Sequence, residues 1–259
     1  MKRIWALVAI VGLFAIGKFA FSYFYIDVNQ RSVIEKELRF PTAPIVPLAP
    51  RIELPESSPA APDALAVQQA FKNLGIPAGV IDGKWGQRTR QGFCIWRELT
   101  GRIADRNFPI EIEQRAIVNT KRLLVPNDFV LGLNVSKTCQ SAVWVKDEAK
   151  SDLRIMIAST GKPGLETDTG NFKVGWRVNR WYESIAYPDG WMYRPMFFNR
   201  GQAVHGSEFD SMVLWYPASH GCVRMLGRDI DALWADGFGI KSRVHVYGTW
   251  NPVTNDPVI

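Results

Sequence analysis

Seven prolines, spaced three to five residues apart, lie between residues 41 and 62 of this 259-residue chain. Each proline fixes φ and removes a backbone N–H donor, so the stretch can build neither a helix nor a central strand and favours extended polyproline II. We therefore predict that residues 27–62 form a Pro-rich linker and that the folded part of the chain begins at residue 63.

The segment before the linker is largely apolar over residues 4–26, interrupted by Lys18 and preceded by Lys2 and Arg3. A helix of this length crosses a hydrocarbon core of about 30 Å, and the leading positive charges predict a cytoplasmic N-terminus. No small-residue cleavage site follows, which favours a retained anchor over the alternative, a cleaved signal peptide. We predict a single-pass anchor at residues 1–26 in the cell membrane, with the linker and catalytic domain extracytoplasmic, on the periplasmic or cell-wall side.

The formal net charge of +6 suits an anionic partner, but the basic residues are scattered among acidic ones and form no run. Such scattering is typical of a solvated basic surface rather than of a nucleic-acid interface. We therefore predict no nucleic-acid partner.

Residues 63–127 carry a helical pattern of hydrophobicity. A first helix is predicted from a repeat at helical spacing that ends before Gly75, a stop signal. A second is predicted at residues 87–99 and a third at 112–124. The repeat of the first helix consists of Leu65, Gln68, Phe71 and Leu74. This region is therefore predicted to be a small all-α three-helix bundle.

From about residue 135 the pattern changes to short apolar or alternating runs separated by Gly-rich turns, which is typical of strands. The fold class predicted is two domains, the three-helix bundle at 63–127 and a mostly-β catalytic domain at 135–250. Within the second domain we predict strands at 142–146, 153–158, 172–176 and 243–247 and a short helix at 229–235.

The three cysteines, Cys94, Cys139 and Cys222, are an odd number and lack C-x-x-C spacing, which argues against a dense disulfide framework and a zinc ribbon. In an exported chain Cys94 and Cys139 can pair and leave Cys222 free. Three unpaired thiols are an equal alternative at this stage.

The chemistry concentrates in residues 219–224, where Cys222 follows His220 by two positions and precedes Arg224 by two. A second histidine, His205, lies 17 residues before the cysteine. A thiol attacks a carbonyl as its thiolate, so an imidazole must take its proton, and either histidine can be that base. An imidazolium beside the thiol is expected to lower its pKa below the usual value of about 8.5.

Backbone N–H groups around Gly221 can hold the oxyanion of a tetrahedral intermediate, and Arg224 can pair with a substrate carboxylate. Each side chain also has a plain structural alternative, namely an inert buried thiol, two core histidines and an arginine in a surface ion pair. A His/Cys metal site lacks a fourth ligand at standard spacing. We predict neither a metal nor a cofactor.

Two sets of segments in this chain resemble known protein families. Residues 203–207 and 216–225, which read AVHGS and YPASHGCVRM, closely resemble the YkuD-like L,D-transpeptidases of peptidoglycan. Residues 67–75, 81–86 and 89–90 resemble the helical peptidoglycan-binding domain. The first resemblance also includes residues 158–161, 169–172 and the strand at 244–247.

The first resemblance implies that Cys222 is the nucleophile, that His205 takes its proton, and that His220 and Gly221 shape the oxyanion site. It also implies a substrate-binding set, consisting of Ser219, Arg224, Gly206 and Tyr193.

The implied reaction is attack on the bond between the L-centred diamino acid and D-Ala of a tetrapeptide stem. D-Ala leaves, and an amine from a second stem resolves the thioester as a 3-3 cross-link, so that peptidoglycan stem peptides are donor and acceptor. Two alternatives remain open: an L,D-carboxypeptidase or hydrolase in which water resolves the thioester, and a non-catalytic wall-binding protein.

Overall fold

The computed structural model describes residues 62–107, 109–188 and 190–251. Its helices are α1 (Ala64–Asn73), α2 (Gln87–Leu99), α3 (Glu111–Asn119) and α4 (Gly227–Ala235). Its strands are β1 (Gly132–Ser136), β2 (Ser141–Val145), β3 (Leu153–Ser159), β4 (Gly170–Lys173), β5 (Trp176–Arg177), β6 (Trp181–Glu183), β7 (Trp191–Asn199), β8 (Gln202–Gly206), β9 (Val223–Met225) and β10 (Arg243–Tyr247).

The predicted anchor and nearly all of the predicted linker fall in residues 1–61, outside the described residues. Within the three described ranges, none of the helices combines the length and the apolar character needed to cross a membrane.

Helix α1 begins at a side-chain cap. The Asp63 carboxylate accepts a hydrogen bond from the Ala66 N–H at 2.8 Å, which satisfies one of the unpaired donors of the first turn. The helix ends at Asn73, and Gly75 follows with a φ of +73°, a left-handed conformation that glycine adopts without strain.

The polar residues between α1 and α2 stabilise a turn. Gln68 Oε1 accepts from the N–H groups of Asp82 and Gly83 at 3.0 and 2.9 Å. Its side-chain NH2 donates to Thr89 Oγ1 at 3.0 Å. These contacts show that Gln68, Asp82 and Gly83, which belong to the segments that resemble a peptidoglycan-binding domain, stabilise this turn.

The described strands form one ten-stranded sheet in the order β4-β10-β1-β2-β3-β9-β8-β7-β5, with β6 paired to β7. Strands β8 and β9 run parallel, which places Val204 opposite Val223 and His205 opposite Arg224. The two motif segments that are separate in the sequence are therefore side by side in the sheet.

Two large clusters of buried apolar side chains pack the helices against the sheet. One contains Leu233 of α4 and Met225 of β9. The other contains Phe71 of α1, Phe93 of α2 and Val143 of β2. Helices α1 and α2 therefore bury their apolar faces against the sheet rather than only against each other.

A disulfide joins the helices to the sheet, since Cys94 of α2 is bonded to Cys139 in the turn after β1. This decides the pairing that the sequence left open and leaves Cys222 as the free thiol of the described residues. The described residues fall within one compact unit, because helices and sheet share a core and a covalent bond. The division into a helical domain at 63–127 and a catalytic domain at 135–250 stays a prediction.

Most predicted elements are present, with shifted ends. The second helix and the last strand have their predicted bounds, and β1 begins at residue 132, ahead of the predicted boundary at 135. The third helix ends at Asn119 rather than 124, because Thr120 already has extended dihedrals. The predicted strand at 172–176 is two strands, since β4 pairs with β10 and β5 pairs with β7.

Glu98 of α2 carries a buried carboxyl at the contact between helices and sheet. Its Oε1 accepts from Ser136 Oγ at 2.8 Å. Burial is the main cause that raises the pKa of Glu98 from 4.5 to about 7, against the hydrogen bond from Ser136 that lowers it. The unfolded carboxyl ionises above pH 4.5 whereas the folded one keeps its proton to about pH 7. Unfolding therefore releases a proton in this window, and stability falls as pH rises.

We expect the free energy of unfolding to fall by about 3 kcal/mol between pH 4.5 and 7 through Glu98, at about 1.4 kcal/mol per pH unit. Denaturant titrations at several pH values should show that Glu98→Gln loses this slope. The matched variant Glu148→Gln, at an exposed glutamate, should keep it. An unchanged slope in Glu98→Gln would show that Glu98 does not titrate in this way.

Candidate active site

One cavity of about 340 Å³ collects the motif residues beside β8 and β9. A thiol, two imidazoles and two guanidinium groups line this space. The motif residues that line it are His205, Ser219, His220, Cys222 and Arg224. Its other walls come from the segments around β7 and from β8 with the residues on either side of it, and include Tyr187, Trp191, Met192, Arg200, Gln202 and Glu208.

The Cys222 thiol is held against the backbone of the neighbouring strand and turn. The Ala203 N–H donates to Sγ at 3.4 Å, and Sγ lies 3.9 Å from Gly201 O. Burial is the main influence on the thiol and raises its pKa above the usual value, although the Ala203 N–H and Arg224 both lower it. The resting thiol is therefore protonated at neutral pH. This direction is opposite to the lowering that an imidazolium beside the thiol would cause.

His205 lies on β8 and is 5% exposed. Its Nδ1 lies 2.8 Å from Gly206 O, and since a carbonyl only accepts, Nδ1 carries the proton and Nε2 is the free acceptor. Burial lowers the pKa of His205 to about 4, Arg224 adds to the lowering, and the bond to Gly206 opposes it. A neutral imidazole with an unprotonated Nε2 is the form that can take a thiol proton.

Residues 218–222, named here the catalytic loop, are fixed by their own hydrogen bonds. Ser219 Oγ donates to Cys222 O at 2.6 Å and accepts from the Gly221 N–H at 3.1 Å. Thr167 Oγ1 donates to Gly221 O at 2.9 Å. Gly221 has a φ of +110°, which side chains rarely tolerate, so glycine is needed here. The Gly221 N–H already donates to Ser219 Oγ, so it is not the donor that holds an oxyanion. Gly221 instead contributes the shape of the backbone.

His220 is the second imidazole of the cavity. Tyr187 stacks on it with 4.4 Å between ring centroids, and Lys162 Nζ lies 3.3 Å from its Nε2. An ammonium only donates, so Nε2 accepts and the neutral ring carries its proton on Nδ1. Desolvation is the main cause that lowers the pKa of His220, followed by the charges of Lys162 and Arg224. His220 is therefore a neutral ring with one N–H donor.

The residues predicted to bind substrate lie in different places. Arg224 lines the cavity and donates to Ala218 O at 3.3 Å. Gly206 is opposite Tyr193 in the β7–β8 pair, where an added Cβ would lie 3.1 Å from the Tyr193 side chain. The Tyr193 hydroxyl donates to Asp231 Oδ1 at 2.8 Å. Neither Gly206 nor Tyr193 is among the described residues that line the cavity, and close strand packing accounts for both.

Three residues that contact the motif were not predicted from the sequence: Lys162, Thr167 and Tyr187. The first two lie between residues 158–161 and 169–172, which belong to the same family resemblance, so a signal was available for them. Tyr187 lies in a loop without periodicity, and only the tertiary structure brings it onto His220.

We expect Lys162→Met to raise the pKa of His220 toward its ordinary value, because a nearby positive charge is lost. Turnover should fall by about fivefold, the effect of one lost hydrogen bond of about 1 kcal/mol. A histidine-ring NMR titration beside steady-state rates measures both. Lys173→Met, at an exposed lysine on β4, should change neither quantity. A His220 titration that is the same in Lys162→Met and wild type would contradict this contact.

The sequence and the structure both match known proteins over the part of the chain that holds the cavity. Residues 132–237 match the YkuD family, described as the L,D-transpeptidase catalytic domain. This range contains Cys222, His205, His220 and Gly221. No curated protein matches the chain.

Three solved structures illustrate the likeness. An L,D-transpeptidase of Xylanimonas cellulosilytica is 27% identical, with a TM-score of 0.53, over 75% of this chain and 100% of that one. One of Stackebrandtia nassauensis is 18% identical, with a TM-score of 0.45, over 76% and 98% of the two chains. One of Mycobacterium smegmatis is 17% identical, with a TM-score of 0.38, over 45% and 58%.

Proposed function

We propose that this chain, whose residues 132–237 form an L,D-transpeptidase catalytic domain, cross-links peptidoglycan stem peptides with Cys222 as its nucleophile. One observation carries the proposal: the Cys222 thiol and the His205 imidazole, with Nε2 unprotonated, line the same cavity. A thiol beside a neutral imidazole is the pair that nucleophilic attack on a carbonyl requires.

In the first step Sγ of Cys222 bonds to the carbonyl carbon between the diamino acid and D-Ala of a tetrapeptide stem. His205 Nε2 takes the thiol proton as this bond forms. Both groups are neutral at rest, because burial raises the thiol pKa and lowers the imidazole pKa. Charge therefore separates only during the attack, and the negative charge moves to the carbonyl oxygen. The Nδ1–H of His220 is a donor on the cavity wall that can stabilise it.

In the second step the carbon–nitrogen bond to D-Ala breaks. The departing amine takes the proton from His205, so D-Ala leaves and the stem remains as a thioester on Cys222. Arg224, on the cavity wall, pairs with a carboxylate of the stem. An amine of a second stem then attacks the thioester and gives its proton to His205. The thiolate takes this proton back, which restores the resting pair and leaves a 3-3 cross-link.

Transfer conserves the number of acyl bonds at every step. One peptide bond is exchanged for a thioester and the thioester for a new peptide bond, so the reaction needs no nucleotide and no cofactor. Water in place of the second amine would give an L,D-carboxypeptidase with the same acylation step.

We place the reaction outside the cytoplasm, with residues 1–26 as a membrane anchor and 27–62 as the linker. The Cys94–Cys139 disulfide supports this location, because disulfides form and persist in oxidising compartments. Binding of the wall by residues 63–127 is supported by their resemblance to the peptidoglycan-binding domain.

The test is incubation of the purified full chain in detergent with a tetrapeptide muropeptide, with and without a second stem as acceptor. Mass spectrometry should show free D-Ala and a cross-linked dimer. Tripeptide product without dimer would indicate a carboxypeptidase. An unchanged muropeptide together with sedimentation of the protein on isolated cell walls would indicate a wall-binding protein, and would overturn the proposal.

A further inference from the structure

A path of buried hydrogen bonds connects α2 with the catalytic loop and passes through Gln140. This residue lies in the turn between β1 and β2, next to Cys139, and is 0% exposed. Its φ of +52° is unusual for a residue other than glycine. A buried side chain in such a conformation persists only where its surroundings fix it.

Both the oxygen and the nitrogen of the Gln140 side-chain amide form hydrogen bonds with Thr160, the residue that follows β3. Its Oε1 accepts from the Thr160 N–H at 2.7 Å. Its Nε2 donates to Thr160 Oγ1 at 2.8 Å and to Lys137 O at 2.7 Å. Thr160 is itself buried, so no water competes for these bonds. The position of Thr160 is therefore set by Gln140.

Thr160 in turn holds the start of the catalytic loop. Its carbonyl accepts from the N–H groups of Ala218 and Ser219 at 2.9 and 3.0 Å. Ser219 Oγ then donates to Cys222 O at 2.6 Å. The nucleophile is thus connected to Gln140 through two residues, Thr160 and Ser219.

Helix α2 holds the backbone of the same turn. Gln91 Nε2 donates to Cys139 O at 3.2 Å and to Gln140 O at 2.5 Å. Cys139 is also bonded to Cys94, which lies one helical turn after Gln91. The turn that carries Gln140 is therefore attached to α2 by two hydrogen bonds and one disulfide.

We propose that Gln140 is a positioning residue for the nucleophile. Through Thr160 it fixes the catalytic loop, and α2 with its disulfide keeps Gln140 in place. The helical segment then supports catalysis through this path of hydrogen bonds, whether or not it also contacts the wall. The inference rests on Cys222 being the nucleophile of the proposed function.

Gln140→Met keeps the length of the side chain and removes its hydrogen bonds. Because a displaced nucleophile loses its near-attack geometry, kcat should fall 10- to 100-fold, with KM within about threefold. The rates are measured well below the unfolding temperature of the variant. The pH profile of Cys222 alkylation by iodoacetamide should also shift, because a loosened loop changes the burial of the thiol. Thr160→Val, which removes only the hydroxyl, should show smaller changes in the same direction.

The matched control is Asn134→Leu. Asn134 is equally buried in the middle of β1, and its amide donates to Val130 O and Gly132 O, away from the catalytic loop. This variant should unfold at a lower temperature but keep wild-type kcat and the wild-type alkylation profile. If Gln140→Met behaves in the same way as Asn134→Leu, the residue serves only stability and the proposal is overturned.

Two further measurements remain decisive if Gln140→Met does not fold. Cys94→Ala combined with Cys139→Ala removes the covalent attachment of the turn to α2, leaving the two Gln91 hydrogen bonds, and should lower kcat severalfold without raising KM. In the wild type, the Ala218 and Ser219 amides should exchange with solvent as slowly as those of the core strands. Wild-type kcat in the double variant, or fast exchange of these two amides, would contradict the inference. The alkylation and exchange data need no substrate, so they separate this inference from a failure of the proposed reaction.

Discussion

Cys222→Ala should lower the rate of D-Ala release by at least about a thousandfold, as expected for the loss of a covalent nucleophile. Cys222 is the free thiol of the described residues, and Cys94 and Cys139 are bonded to each other, so neither can replace it. The measurement is turnover of a tetrapeptide muropeptide, with thermal unfolding to show that the variant is folded.

The matched control for this change is Met212→Ala, which removes another side chain from the cavity wall without removing reactive chemistry. Its turnover should stay within about tenfold of wild type, the effect of about 1.4 kcal/mol. Similar rates in Cys222→Ala and Met212→Ala would show that the thiol is not the nucleophile.

His205→Asn should lower kcat by about 10²- to 10⁴-fold, the usual contribution of a general base. Asparagine can still donate to Gly206 O, as Nδ1 does, but it has no counterpart of Nε2 that takes a proton. The acylation burst, followed by rapid quench, should slow to the same extent as steady-state turnover. A normal burst in His205→Asn would assign the base to another residue.

The pH dependence of kcat/KM in the wild-type enzyme should report the pKa of His205. His205 must be neutral to accept the thiol proton, and its pKa is lowered to about 4. The value of kcat/KM should therefore fall as pH falls through about 4. An exposed histidine would give this decline near 6.5. A midpoint near 6.5 would mean that the imidazole is more hydrated than its buried position on β8 indicates.

Much of the fold could be predicted because its signals are local. The spacing of Phe93, Trp96 and Leu99 marks one buried helix face, and α2 has its predicted bounds. The Arg243–Tyr247 strand was predicted from its alternating pattern for the same reason. Packing between distant segments leaves no such pattern, and the sharing of one core by α1, α2 and the sheet appears only in the tertiary structure.

The site shows the same division between local and distant information. Cys222, His205 and His220 could be selected because their residue types and spacing are unusual, and all three line one cavity. Tyr193 is assigned to substrate binding by the family resemblance, but in β7 its hydroxyl donates a hydrogen bond to Asp231. The direction of a side chain depends on strand register, which the sequence near Tyr193 does not reveal.

The protonation states could not be predicted at all from the sequence. A cysteine near two histidines suggested a thiolate, whereas burial favours neutral forms of both the thiol and the imidazole. Burial is a sum over many packed residues from several elements. For this reason the resting state of the pair had to come from the structure.

The most direct test of the central claim is the mass of the protein itself. The full chain is mixed with tetrapeptide muropeptide and no added acceptor, quenched in acid within the first turnover, and digested for mass spectrometry. The proposed mechanism predicts that the peptide containing Cys222 gains the mass of the tripeptide muropeptide minus water, in step with the release of one D-Ala. Addition of an acceptor stem should remove this adduct and yield the dimer. Release of D-Ala with no adduct on Cys222, and at the same rate in Cys222→Ala, would contradict the mechanism.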